Sequence, residues 1–183
     1  GEIPPELGGL NALKFLDLSS NLISGSLPGE IFLKLHQLIS LDISNNSFTG
    51  SIPPEIGNLK NLIDLYIGTN SFSGRIPPEI GNLVRLQSFV SPLCSLAGPL
   101  PEQISNLTSL TKLDLSYNPL RCKIPKSIGE LKNLTMLNLA FSELNGTIPR
   151  ELGNCKSLKI LTLSFNSLSG ILPEELSDLP LLT

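Results

Sequence analysis

Residues 38–61 read LISLDISNNSFTGSIPPEIGNLKN, and at Leu62 the pattern starts again. With the 24 residues numbered from 1, apolar side chains fall at positions 1, 4, 6 and 11 (Leu38, Leu41, Ile43, Phe48), with Asn46 at 9. Gly50, Ile52, Pro53, Ile56 and Leu59 follow at 13, 15, 16, 19 and 22. Units on this plan begin at Leu13, Leu38, Leu62, Leu86, Leu110, Leu134 and Leu158. Position 16 is proline in every one, from Pro28 to Pro173, and position 15 is always Leu or Ile. Position 9 is Asn in five units, Cys94 in the fourth and Ser142 in the sixth. A fixed period of this size dictates a solenoid. One repeat cannot bury its apolar face alone, so stacked repeats share a continuous core.

The local structure follows from position. Residues 3 to 7 alternate: Leu41 and Ile43 point one way, and Ser40, Asp42 and Ser44 the other. That is the two-residue period of a strand with one buried face. One strand per unit, always in the same direction, makes a parallel sheet, and seven coils at a strand spacing of ~4.8 Å extend roughly 34 Å. Where the chain turns off the sheet, an inward Asn offers two donors and an acceptor to backbone groups that have lost their ladder partners. Gly at position 13 suits a tight turn or an open φ. Pro at position 16 fixes φ and lacks an N–H, so it opens a short helical or 3₁₀ turn on the outer side.

Some units depart from the plan. The first has one extra residue in Glu30–Gln37, EIFLKLHQ, which predicts a bulge on the outer side. His36 lies there with no partner for acid–base work. The fourth unit, LQSFVSPLCSLAGPLP, places Ser91 where an inward Leu or Ile belongs, and Pro92 beside it removes a donor. Cys94 takes its Asn position. Local distortion of function-bearing kind and tolerated drift are both open. Of three cysteines, Cys155 falls in the position-22 leucine column and reads as a small buried apolar residue. Cys94 and Cys122 lie on neighbouring coils, and a disulfide between them depends on a Cα separation that spacing does not reveal.

No site for chemistry is visible. Phosphate-binding loops, dinucleotide fingerprints, metal-ligand clusters and Ser–His–Asp sets are all missing from the sequence. The expectation is a chain that is not an enzyme and holds no cofactor or metal. Its net charge of −3 without a basic run argues against nucleic acid. No apolar window is long enough to span a membrane.

What the repeat does offer is a surface. Positions 3, 5, 7 and 8 form columns across the coils. Position 5 begins with Asp17 and Asp42 and passes through Tyr66 and Val90. Position 8 runs Ser20, Asn45, Thr69, Leu93, Tyr117, Phe141, Phe165, while position 3 reaches Met136 and Ile160. The candidate binding residues on the concave face are therefore Val90, Leu93, Tyr117, Met136, Phe141, Ile160 and Phe165. Exposed apolar patches mark interaction sites, but an aromatic column is also self-stabilising through stacking. Four N-x-S/T sequons, at Asn45, Asn106, Asn133 and Asn145, point to an extracellular glycoprotein.

The strand pattern resembles the leucine-rich repeat, and strand followed by xGxIP resembles its plant-specific class. This resemblance implies an α/β solenoid: a right-handed superhelix with parallel strands on the concave face, 3₁₀ or short helical turns on the convex face, and extra β structure from the LxGxIP stretch. SPLCSLAGPLP (91–101), LDLSYNPLRCKIPKSIGELKNL (113–134) and LGNCKSLKILTLSFNSLSG (152–170) resemble ectodomains of plant leucine-rich repeat receptor kinases. By that resemblance the parent would be a single-pass membrane protein with a separate serine/threonine kinase domain. The segment would lie on the extracellular side of the plasma membrane. Its partners would be a small secreted cysteine-rich protein and a leucine-rich repeat co-receptor. A soluble apoplastic protein of the polygalacturonase-inhibitor kind is the alternative. The domain is expected to span 1–183, with a partial unit at 1–12. Neither end carries the polar cap a solenoid needs, which reads as a slice of something longer.

Overall fold

The computed structural model describes residues 1–182; Thr183, the last residue of the expected domain, lies outside them. Seven three-residue strands, from Phe15–Asp17 to Ile160–Thr162, form one parallel sheet in chain order. Register is kept throughout. Leu16, Leu41, Leu65, Phe89, Leu113, Leu137 and Leu161 stand opposite one another along the sheet. These position-4 residues, with those at 1, 6, 11, 15, 19 and 22, build the single core cluster. Phe48 and Phe72 stack inside it with ring centroids 5.9 Å apart.

The outer side of each coil is a 3₁₀ turn, such as Pro54–Asn58 or Lys126–Glu130. The position-16 proline caps it with extended dihedrals (Pro53 φ −70°, ψ 138°) instead of occupying the first helical residue, where Pro5, Pro54 and Pro78 sit. No helix among the described residues is α-helical, and none is long and apolar enough to cross a membrane. The extra residue of the first unit is absorbed at the end of Gly29–Leu33. There the amides of both Lys34 and Leu35 donate to the Ile31 carbonyl, and Leu35 replaces the usual position-22 leucine in the core.

Short second strands pair coil to coil: Ser24–Ser26 with Ser47–Thr49, Ser73–Gly74 with Ser95–Leu96, and Asn145–Gly146 with Ser167–Leu168. The fifth coil has none. Pro119 brings no N–H there, and the amides of Leu120 and Arg121 turn forward to the Ser142 carbonyl (3.1 and 3.4 Å). Six glycines at position 13 adopt φ between 75° and 87°. Cys122 occupies that position in the fifth coil, and the left-handed turn moves to Arg121 at φ 52°.

The fourth coil corrects the expectation that Pro92 removes a ladder donor. The sheet runs through it undisturbed, with Ser91 N–H donating to the Asp114 carbonyl (2.8 Å) and Leu93 N–H to Ser116 (3.0 Å). Position-7 amides do not bond along the ladder. Those of Ser19, Ser44, Ser116 and Ala140 bond the side chain at position 5 of their own coil. Val90 at position 5 has no acceptor to offer and Pro92 at position 7 has no donor, so nothing is left unpaired. Room for the ring comes from Gly68 on the third coil, whose Cβ, were it present, would lie 2.4 Å from Pro92 Cδ.

Candidate functional site

The inward asparagines set the frame. Asn118 is fully buried; its carboxamide oxygen accepts from Leu96 N–H (3.1 Å) and its nitrogen donates to the carbonyls of Ser91, Leu115 and Ser116. Asn46, Asn70 and Asn166 repeat the arrangement. Each therefore ties the turn backbone of its own coil to that of the coil before it, and the series makes a fixed ladder. Immediately before each asparagine the chain passes through the left-handed region. All seven position-8 residues have φ between 53° and 57°, including Leu93, Tyr117, Phe141 and Phe165. Bulky side chains are uncommon there, and the requirement repeats with every turn. The alternation rule gave no sign of it.

That backbone turn lifts position-8 side chains off the strand face and onto its rim. Tyr117, Phe141 and Phe165 stack in sequence with centroids 4.4 and 4.1 Å apart and planes within 13°. Leu93 continues the line on the fourth coil and remains 50% exposed; Phe165 is 73% exposed. Of the strand residues, Ile160 is exposed, while Val90 and Met136 are half-buried. Met136 and Ile160 stand directly opposite on adjacent strands. Position 7 does not belong to the open face in these coils, because Ser116 and Ala140 are buried. The column forms one bank of a groove of about 600 Å³, and Pro119, Arg121 and Glu143 form the other. Arg121 Nε donates to Glu143 Oε2 at 2.8 Å across adjacent coils. Sequence columns alone did not point to this second bank. Its signal is the pair of non-glycine left-handed residues, Arg121 and Glu143.

The face of the first coils is different in chemistry. Asp42 Oδ1 accepts from both the amide and the hydroxyl of Ser44. The Ser19 hydroxyl and amide hold the Asp17 carboxyl below its ordinary range. All three thiols are free and buried, so Cys94 and Cys122 form no disulfide here. Burial pushes the thiols of Cys94 and Cys122 up, and that of Cys155 to about 11. Cys155 sits in the leucine column as expected, fully buried. Among the described residues no His, Cys, Asp and Glu gather into a metal-binding group. The four sequon asparagines are all exposed.

A leucine-rich repeat family model matches residues 12–33, 37–59, 61–83, 109–131, 133–155 and 157–179. The chain belongs to the leucine-rich repeat family. Between matched repeats, 84–108 is passed over, and it holds nearly all of the fourth coil with Ser91, Pro92 and Cys94. Comparison with curated proteins gives no match. Among solved structures, a TDR receptor aligns over 100% of the chain and 32% of its own, at 35% identity and a TM-score of 0.97. The Arabidopsis receptor kinase HAESA, solved with the peptide hormone IDA and the co-receptor SERK1, aligns over 99% and 30%, at 43% identity and 0.94. The plant peptide hormone receptor RGFR1, solved with RGF2, aligns over 100% and 33%, at 31% identity and 0.82. The chain thus spans about a third of the length of each. It is a stretch of leucine-rich repeats, not a catalytic domain.

Proposed function

We propose that this leucine-rich repeat segment recognises a polypeptide ligand as part of the extracellular region of a plant receptor-like serine/threonine kinase. The carrying observation is the solvent-facing stack of Tyr117, Phe141 and Phe165 beside the apolar strand pair Met136 and Ile160. Stacking covers ring faces and leaves edges and neighbouring apolar surface open, and such aromatic clusters are where binding energy concentrates. Val90 and Leu93 extend the surface to the fourth coil. Solved relatives that bind peptide hormones, one with a co-receptor, support this reading over a secreted inhibitor.

The finer assignment rests on resemblance: the irregular units with Cys94 and Cys122 are similar to the receptor kinase called excess microsporocytes, or multiple sporocyte. On that reading the ligand is a small secreted cysteine-rich protein and the co-receptor a shorter leucine-rich repeat chain. The segment faces the outside of the plasma membrane, with glycans at Asn45, Asn106, Asn133 and Asn145. Titration of the purified cysteine-rich protein onto the receptor's extracellular region tests it. Phe141→Ala and Phe165→Ala should each weaken binding at least about tenfold, the loss typical of a central aromatic anchor. Asp17→Ala and Ser40→Ala should leave it unchanged. Two well-folded Phe variants that bind as wild type does would reduce the column to a stacking spine.

A further inference from the structure

A second surface lies on the outer rim of the fifth and sixth coils. Its cations are local. Position 17 is Glu102 in the fourth coil, Lys126 and Arg150 in the fifth and sixth, and Glu174 in the seventh, and Lys123 joins the two cations at position 14. These three cations edge a furrow of about 470 Å³ between the two coils, floored by the Ile-Pro steps of positions 15 and 16. The ammonium stem of Lys123 lies along Gly146, where a Cβ would come within 3.1 Å of it. Glu151 is the one carboxylate in the furrow. It contacts Lys126 at 3.5 Å and Arg150 at 3.9 Å, and those two side chains stay 80% and 73% exposed. Such long, solvated contacts hold cations weakly. Lys123 has no ion pair among the described residues.

We infer that this furrow binds a linear acidic polysaccharide carrying uronate carboxylates. Lys126 and Arg150 hold the same position on adjacent coils, which suits a polymer with repeated charges. The lining selects among polyanions. A protein partner gains most of its affinity from an apolar or aromatic anchor in a pocket. Here Ile124 and Pro149 are buried beneath the floor and Pro125 and Ile148 are half-buried, so little apolar surface is left to anchor one. Nucleic acid single strands need aromatic platforms for their bases, and no lining residue is aromatic. A polyuronate needs neither. Its carboxylates pair with Lys123, Lys126 and Arg150, Arg offering a bidentate fork, and its hydroxyls meet the Thr147 hydroxyl in the wall. The site is separate from the aromatic column and holds whether or not the column binds a ligand.

Because the chain is net negative at −3, bulk charge repels a polyanion, and retention must come from a local patch. The purified chain should be retained on immobilised polyuronate at low salt and released as salt rises. The triple variant Lys123→Gln, Lys126→Gln, Arg150→Gln should lose retention at least about tenfold, with a shallower log–log salt dependence because fewer counterions are released. Glutamine keeps the stems and the fold, which the melting temperature verifies. A charge-matched variant, Lys14→Gln, Lys34→Gln, Lys60→Gln, should behave as wild type. No retention, or equal loss in both triples, overturns the site. Equal retention on poly-glutamate, or retention on a sulfated polysaccharide alone, overturns the choice of ligand.

Discussion

The second and third coils and the fourth to sixth coils follow one backbone plan with opposite surface policies. In the former, position 9 is Asn, position 13 is Gly, second strands are present, and the open face is polar, with Ser40, Asp42 and Asp64. In the latter, Cys94, Cys122 and Ser142 each replace a signature residue, a second strand is lost, and the rim turns apolar and then cationic. Yet the seven-stranded sheet crosses both regions in register. The core and the Asn ladder therefore hold the architecture, while turn chemistry is free to vary as long as every displaced donor or acceptor finds a partner. Ser142 shows how: its one hydroxyl proton is shared between the carbonyls of Leu115 and Ala140, each 3.2 Å away, and Asn166 of the next coil accepts its amide.

The ladder gives the largest expected effect. Asn118→Ala would strand the Leu96 amide and the Ser91 carbonyl in a fully buried site and take a donor from the Leu115 and Ser116 carbonyls, which keep the Ser142 hydroxyl and the Leu93 amide, a loss of roughly 3 kcal/mol, the upper end for unpaired buried groups. Asn70→Ala should fall close behind. Asn58 bonds only the Glu55 carbonyl of its own turn, so Asn58→Ala should lose less than about 1 kcal/mol. Equal shifts in denaturant midpoint for all three would remove the ladder from the account.

Next in size is the joint between the two regions. Gly68→Ala puts a methyl group 2.4 Å from Pro92 Cδ, and overpacking of this kind destabilises by about 1–3 kcal/mol. Pro92→Ala should restore most of it, giving a coupling energy of about 1 kcal/mol or more in a double-mutant cycle. Additive effects would show that Gly68 and Pro92 are not matched.

Much of this was legible in the sequence. The 24-residue period fixed coil number, strand direction, core positions and the duty of the asparagines, because each follows from burial and backbone pairing. Cys155 was legible for the same reason. Three features were not. Position 7 looked like a ladder donor because alternation says which way a side chain points, not where its amide bonds. The left-handed turn at position 8 is imposed by the coil on whatever residue sits there, so Tyr117 and Phe141 carried no local mark of it. The groove bank of Pro119, Arg121 and Glu143 arises from hydrogen bonds redirected between coils, which spacing within one unit does not encode.

The smallest effect bears most directly on the comparison. Cys94 stands where the third and fifth coils have Asn, and its thiol imitates the carboxamide at longer range. It lies within weak donating range of the Ile67 carbonyl at 3.6 Å and the Pro92 carbonyl at 3.7 Å, and accepts from the Ser91 hydroxyl at 3.7 Å. Asn70 and Asn118 make the equivalent contacts at 2.7–3.3 Å. Sulfur is a poor donor and acceptor, so the fourth coil holds the weakest rung of the ladder. Cys94→Asn should therefore stabilise the chain by about 0.5–1.5 kcal/mol, the net value of one good hydrogen bond. The Ser91 hydroxyl, facing the same spot, offers the new side chain a partner and no steric obstacle of leucine size. Equilibrium unfolding reads the change directly. A neutral or destabilising result would mean that the fourth coil is built around sulfur and that its departure from the repeat is not a weakness carried by its neighbours.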